Sequence, residues 1–594
     1  MTAFVFCAAA KTADGWELGA LRIGDGHFPL YRRFCFAGPD GESAPALAAL
    51  RAFCRDAFVL AHGEAEWHDW QASLAAPGPV WADTRELALL VFPTAGKYGL
   101  ADLAAALLSP SPRRAAGGAW ARCRHTLEIF GKISDKALSF DLGLLQSAAA
   151  LLGTGTAAGE LCAFAAREAR RLAPDRPIHT EMPFMADEGL FAAQKRTPVA
   201  FPPEWTEACF APNGLLARQM SGFEDREEQR VMARAVTQGL ARRENLVVEA
   251  GTGTGKSAAY LLPAIWWARG HECRVVVATH TITLQEQLCR KDLPFLAEAL
   301  PFSFRFLLLK GRGNYCCRQR LSQREPSPDA PREERLAWLC LRVWVRETRS
   351  GDLSELPQAE IGAAWKKYSC ENPFCDPLHC RENKFCYMLL ARRAAENADI
   401  IIVNHSLLLS DLKTGYSILP EHEDIIIDEA HNFYSEAVQQ LGFALSPETL
   451  RRLLELIHGP NRHSVAGYYR RHANDLLALV PEIDWIAFAE RASLLPDLCR
   501  ETEQAGEGLF RLAGALLEHN NALRVLPEKM GTAAFDAFTV ETENLINALS
   551  RLTAVLTQME KLLFLDNQQL SELRRLLARH RSEAQGAADG LAGI

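Results

Sequence analysis

The run Ala250-Gly251-Thr252-Gly253-Thr254-Gly255-Lys256-Ser257 limits what this 594-residue chain can fold into more than any other feature. The apolar stretch Leu246–Val248 leads into it, and a helix-like run, Ala258–Ala268, follows. A strand, a glycine-rich turn and a helix in that order make a phosphate-binding loop. Glycines let successive backbone N–H groups turn inward around phosphate oxygens, and the helix N-terminus adds the positive end of its dipole. Gly251, Thr252, Gly253, Thr254 and Gly255 are expected to cradle the phosphates of ATP. Lys256 is expected to hold the β- and γ-phosphates, and Ser257 to ligate Mg²⁺.

A phosphate site needs a second half, and Asp428-Glu429-Ala430-His431 supplies it at the end of the apolar run Ile425–Ile427. A carboxylate there is placed to hold Mg²⁺, and the next one to orient the attacking water. Between the two motifs, short apolar runs fall at Arg274–Ala278, Phe304–Leu309 and Ile400–Val403, most of them separated by helical stretches. Continuous apolar strands alternating with helices imply a parallel sheet covered on both faces.

The chain is too long for one core, so several domains are expected. No apolar run is long enough to cross a bilayer, and the N-terminus lacks a basic start followed by a cleavable core. A cytoplasmic, bacterial protein is the expectation. The net charge is −8, so nucleic acid would have to meet local grooves rather than a general positive field.

At these motifs the chain resembles the DinG and XPD family of superfamily-two iron–sulfur DNA helicases. Phe223-Glu224-Asp225-Arg226-Glu227-Glu228-Gln229 is similar to the family's Q motif, in which the glutamine, here Gln229, reads the adenine edge. A glutamine amide offers both the donor and the acceptor that this edge requires. Thr279 to Leu288 resembles the family's first DNA-contact motif, implying DNA contacts from Thr279, Thr281 and Gln285. Asn404-His405 falls where the family has its Asn-His pair, a position where a lone histidine is more often structural than catalytic. The resemblance covers about residues 220–594. It implies ATP-driven 5′–3′ translocation on single-stranded or forked DNA in repair or replication, with Lys256, Asp428, Glu429 and His431 as the catalytic set.

Seven of the 16 cysteines, Cys316, Cys317, Cys340, Cys370, Cys375, Cys380 and Cys386, crowd one segment. In a reducing compartment such a cluster points to metal rather than disulfides. The resemblance implies a [4Fe–4S] cluster on Cys317, Cys375, Cys380 and Cys386, with Cys316 spare. Cys370, Cys375, Cys380 and Cys386 as a Cys₄ zinc site, or free thiols, stay open as alternatives.

Residues 1–175 resemble, more faintly, the DnaQ-like 3′–5′ exonuclease domain fused to some DinG proteins. The similarity lies in Ala82–Ala88, Gly96–Leu103 and Ala61-His62. The first strand, however, runs into Cys7-Ala8-Ala9-Ala10-Lys11 where such a nuclease needs an Asp-x-Glu pair for two metals. Gly63-Glu64-Ala65-Glu66-Trp67 stands where the second motif should end in Asp, and Asp69 would need an insertion. His125 is followed by Phe130 at the spacing where an Asp is needed. A nuclease-like fold without nuclease activity is expected.

The whole therefore reads as α/β. A P-loop RecA-like parallel-sheet lobe carries an inserted iron–sulfur domain and a helical arch, preceded by a ribonuclease-H-like α/β domain. The expected boundaries are 1–175 for the nuclease-like fold, 176–222 for a Pro-rich linker, and 223–310 and 387–440 for the lobe. The cysteine insert takes 311–386 and the arch 441–594, with Arg581–Ile594 frayed. Within the arch, Ser446-Pro447 opens a helix, and Leu545, Leu549, Leu552, Leu556, Met559 and Leu563 form a coiled-coil-like seam. No second RecA-like pattern follows residue 440, so a chain weakly active alone is expected, its second lobe elsewhere in the same gene product or on a separate chain. A non-catalytic ATP- and DNA-binding or redox-sensing module is the alternative.

Overall fold

The computed structural model describes residues 3–12, 15–23, 31–38, 50, 52–54, 57–62, 81–108, 119–153, 156–173, 199–219, 222–251, 253–371, 375, 380, 383–459, 464–517, 532–564 and 570–593. Thr252, the 63–69 stretch and most of the Pro-rich segment lie outside them. The chain divides into two compact units, 1–371 with 377–428, and 372–376 with 429–594.

The first unit begins with strands β1 (Ala3–Thr12), β2 (Gly15–Ile23), β3 (Tyr31–Gly38), β4 (Ala57–Ala61) and β5 (Trp81–Asp83). Thr12 pairs with Gly15, so the expected hairpin forms. The order is β3-β2-β1-β4-β5, antiparallel across β1 to β3 and parallel from β1 to β5, a sheet of the ribonuclease-H-like kind. Helices α1 (Thr84–Val91), α2 (Leu100–Leu107), α3 (Ala119–Leu138), α4 (Leu142–Leu152) and α5 (Ala157–Leu172) follow. Helix α3 covers β1, with the Phe6 and Phe130 rings 5.3 Å apart and the Cys123 thiol donating to the Phe6 carbonyl at 2.8 Å.

His62 is buried at the end of β4, with Nδ1 2.8 Å from Thr84 Oγ1 and Nε2 2.8 Å from the Tyr98 carbonyl. It ties the two stretches that carried the nuclease resemblance and performs a structural task. Burial lowers its pKa, outweighing the neighbouring Asp83.

The motor lobe holds β6 (Val275–Thr279), β7 (Phe306–Leu308), β8 (Ile400–Asn404) and β9 (Asp424–Ile427), all parallel, in the order β7-β8-β6-β9. Val275–Ala278 and Ile400–Val403 are fully buried, as strands covered on both faces must be. Helices α6 (Glu227–Arg242), α7 (Lys256–His271) and α8 (Ile282–Gln287) pack around this sheet. From Ala259 to Ala268, α7 is buried on every side, so it is apolar all round rather than striped.

Three expectations are corrected. Leu246–Val248 is not a strand: no ladder pairs it with the sheet, and Val247 is 96% exposed. An apolar run becomes a strand only where an edge accepts its N–H and C=O groups, and β9 does not pair with it. The described part of the expected linker is docked, because Phe201 stacks on Trp205, its carbonyl accepts from Trp266 Nε1 at 2.9 Å, and Thr206 bonds Thr237. Arg581–Ala592 is helical rather than frayed, since Ala584, Ala587, Ala588 and Leu591 recur at helical spacing and bury one face.

Between β7 and β8 the cysteine-rich insert forms α9 (Arg318–Gln323), α10 (Arg332–Trp344), α11 (Gln358–Tyr368) and α12 (Tyr387–Ala395). The second unit is helical. Its α13 (Pro447–His458) opens with a Ser446/Thr449 capping box and buries Leu450, Leu453, Leu454 and Ile457. The expected seam buries all six of its residues on α15 (Ala533–Leu562) and just beyond its end, between α14 (Leu495–Leu516) and α16 (Leu570–Ala592).

Leu552→Ala is therefore expected to destabilise the helical unit by about 2–5 kcal/mol, checked by chemical denaturation. For His62 the folded pKa lies below the ordinary 6.5. Its contribution to stability is present above that value and lost as pH falls below it. Amide protection of β4 and β5 should drop with acidification, and His62→Gln should flatten that dependence.

Candidate functional site

Parallel register sets the candidate nucleotide site. Thr279 of β6 stands opposite Asn404 of β8, and Ala278 opposite Ile427 of β9, so the three strands end at one edge. Asp428 follows β9 directly, its N–H donating to the Ala278 carbonyl at 2.8 Å. The buried His405 donates from Nε2 to the Asp428 carbonyl at 2.9 Å. His405 thus positions the acidic box, in line with its structural reading, while Asn404 caps the next helix by accepting from the Leu407 N–H.

The phosphate loop turns into α7 with Gly253 at φ 84° and Gly255 at φ 76°, backbone conformations that favour glycine. Gln229 Nε2 donates to the Gly255 carbonyl at 2.9 Å, and the Arg226 guanidinium donates to the Gly253 carbonyl. The glutamine expected to read a base therefore reaches the loop itself. A Cβ on Gly255 would come within 2.2 Å of that amide. Thr254 closes the loop by donating to the Gly251 carbonyl at 3.0 Å.

Tyr260, one turn after Ser257 on α7, joins the two halves of the site. Its hydroxyl donates to Asp428 Oδ2 at 3.3 Å and is also hydrogen-bonded to Ser257. Burial first, and then the Asp428 charge, push its pKa well above the ordinary phenol value, so it remains a donor. Thr279 Oγ1 donates to the same Asp428 oxygen at 3.4 Å. Serine hydroxyl and aspartate, the two expected Mg²⁺ ligands, thus converge on one phenol from 171 residues apart in sequence. Glu429 takes a left-handed φ of 52°, a costly conformation for a side-chain-bearing residue, and its carboxylate lies 3.5 Å from His431 Nδ1.

The expected DNA contacts are less well met. Thr279 is fully buried and serves Asp428, and Gln285 is 1% exposed. Thr281 is exposed, but its hydroxyl caps α8 by accepting from the Leu284 N–H. The Thr-rich motif is built into the lobe at its first and seventh residues because β6 and α8 turn those side chains inward.

In the insert, Cys317 is the N-cap of α9 and Cys386 that of α12. The Cys370 thiol hydrogen-bonds both. That donation, aided by backbone N–H groups at the helix starts, brings Cys317 down to about 7 and Cys386 to about 6. The same pairings push Cys370 up. Cys316 is wholly buried, and burial pushes its pKa up. Cys380 Sγ lies 3.0 Å from Gln319 Oε1, and Cys375 groups with the second unit.

Two cysteines at helix starts suit a soft metal centre in chemistry. In arrangement the expected four ligands are not assembled: the cysteine that meets Cys317 and Cys386 is Cys370. Among the described residues no group of three or more His, Cys, Asp or Glu is disposed to hold a metal ion. Sequence spacing offered Cys370 only as a ligand of the alternative zinc site. Tyr260 and Arg226 were not singled out at all, although Tyr260 lies three residues after Ser257, on the same helical face.

Gly255→Ala, at φ 76°, should cost about 1–2 kcal/mol in stability, read by chemical denaturation. By displacing the Gln229 amide it should also weaken binding of a fluorescent ADP by about tenfold, read by titration.

A DEAD/DEAH box helicase model matches residues 228–305, and the DEAD_2 family model matches residues 278–450. The chain is 40% identical over 253 residues to the ATP-dependent DNA helicase YoaA of Escherichia coli, a match covering 42% of this chain and 39% of that protein. It is 36% identical over 255 residues to the ATP-dependent helicase DinG of Mycobacterium tuberculosis, covering 39% and 38%. A third relative, the 3'-5' exonuclease DinG of Bacillus subtilis, is 34% identical over 228 residues, covering 38% and 24%. The chain thus spans less than two fifths of the length of these relatives. Over residues 228–450 the chain is thus similar to DEAD/DEAH box helicases, among them the proteins named YoaA and DinG.

Proposed function

We propose that residues 223–310 and 387–440 are the first motor lobe of an ATP-dependent DNA helicase of the DinG/YoaA kind. The observation that carries this reading is the meeting of Ser257 and Asp428 on Tyr260, beside a loop whose carbonyls are held by Gln229 and Arg226. Lys256 and the loop N–H groups bind the β- and γ-phosphates, with Thr252 contributing from the same loop. Ser257 and Asp428 would hold a magnesium ion, which would supply neutralisation of the phosphate charge. Glu429 orients the attacking water, and His431 steadies that carboxylate from 3.5 Å. Coupling hydrolysis to movement draws on a second RecA-like lobe with an arginine finger, worth about 10³–10⁵ in rate in related NTPases.

Single-stranded or forked DNA is the partner, with 5′–3′ movement and a role in repair or replication. The exposed Thr281 is the expected contact that keeps a surface position for phosphate oxygens. Helices 441–594 act as the arch. By its resemblance to the family the insert would hold a [4Fe–4S] cluster on Cys317, Cys375, Cys380 and Cys386; the placement of Cys317 and Cys386 at two helix starts, both facing Cys370, supports a thiol site there.

Lys256→Ala should weaken Mg²⁺-dependent binding of a fluorescent ATP analogue at least about tenfold, and Asp428→Asn should remove the magnesium dependence. Equal binding by wild type and both variants would overturn the assignment. Anaerobically purified chain should contain iron and acid-labile sulfide, lost in Cys386→Ser. Colourless protein carrying stoichiometric zinc would contradict the cluster and favour the Cys₄ zinc reading.

A further inference from the structure

The nuclease-like domain and the cysteine-bearing insert, expected at residues 1–175 and 311–386, share one hydrophobic core. Leu87 and Val91 of α1 and Leu145 of α4 belong to the same buried cluster as Cys340, Leu341 and Trp344 of α10. Within it, the Cys340 thiol donates to the Leu89 carbonyl at 3.4 Å.

The polar contacts show that this is a built interface. Helix α4 is met at both ends by arginines of the insert. At its start, Asp141 accepts from the Leu144 N–H at 2.7 Å and pairs with Arg346, both side chains largely buried. At its end, Arg335 donates to the Leu151 carbonyl, one of the groups a helix leaves unsatisfied. Around the rim, Arg85 pairs with Glu360 at 2.7 Å, Arg332 with Glu86 at 2.5 Å, and Lys136 with Glu347.

On its other side α10 holds the helices that begin at the thiols. Trp338 Nε1 donates to the Leu321 carbonyl in α9 at 2.9 Å. Tyr387, the first residue of α12, donates its hydroxyl to the Val345 carbonyl at 3.4 Å. The path therefore runs from α1 and α4, through α10, to the helices capped by Cys317 and Cys386.

We propose that the N-terminal domain is the seat of the cysteine-bearing insert: the two fold as one cooperative body, and the seat sets the position of the thiol pocket through α10. This gives a role to a nuclease-like sheet whose first strand, Ala3–Thr12, carries no carboxylate. The role does not depend on nucleotide, DNA or a cluster, so it stands apart from the helicase reading.

The test uses the full chain. A zero-length carbodiimide should join the Lys136 amine to the Glu347 carboxylate in the monomer. Lys367 and Glu334, paired at 2.6 Å within the insert, serve as the internal control. Absence of the 136–347 link where 367–334 forms would overturn the proposal. In hydrogen exchange, Arg346→Glu should speed exchange of α4, α10 and the first turn of α12 together, by at least about tenfold. Cys340 should become open to alkylation while β6 and β8 keep their protection. Acceleration confined to one side of the interface would count against a shared body. Should Arg346→Glu not fold, wild-type chain titrated with urea decides: α4 and α10 are expected to lose protection at one common midpoint, and two separate midpoints would refute the idea.

Discussion

The pairing of β6 between β8 and β9 is the constraint on which the nucleotide site depends. Parallel strands in register end together, so Thr279, Asn404 and Asp428 emerge at one edge although 149 residues separate the first from the last. Ligand sites in open α/β sheets lie beyond the carboxyl ends of the strands for this reason. Helix α7 points its N-terminus at the same edge because its apolar body is buried against the sheet, tied by Trp267 Nε1 to Asp424 Oδ2 at 2.7 Å. Tyr260 then closes the distance between the phosphate loop and the acidic box.

That edge also explains how polar residues survive burial. Thr279 and His405 are each 0% exposed, and each bonds a different oxygen of Asp428. A buried donor without an acceptor would cost about 1–3 kcal/mol, so these residues and the aspartate hold one another in place. The same logic governs the insert. Lys310 is 5% exposed and sits 2.7 Å from Asp352, while the bridges Tyr315↔Asp352 and Cys316↔Ser369 tie the start of the insert to its later turns.

Much of this was legible before any coordinates. Four of the five apolar runs became strands, because unbroken β-branched stretches such as Ile400–Val403 are stable only inside a sheet. The seam from Leu545 to Leu563 buried all six of its members, since its spacing leaves a helix no other apolar face. The reading failed where one sequence pattern has two outcomes. Leu246–Val248 looks like a strand, but strand formation is decided by an edge elsewhere in the chain. Alanine at 584, 587 and 588 signals little by itself, yet at helical spacing it lets α16 lie close against its neighbours.

The sequence by itself determined the phosphate loop, the acidic box, the resemblance to DEAD/DEAH-box helicases and the absence of carboxylates from Ala3–Thr12. These are properties of residue type and short spacing. Only the tertiary structure decided that Tyr260 joins Ser257 to Asp428, that Thr279 and Gln285 are turned inward, and that Cys370 is the thiol facing Cys317 and Cys386. It alone showed arginines of the insert reaching both ends of α4 in the N-terminal domain, Arg346 at Asp141 and Arg335 at the Leu151 carbonyl. Each of these depends on contacts between residues far apart in the chain, which local spacing cannot encode.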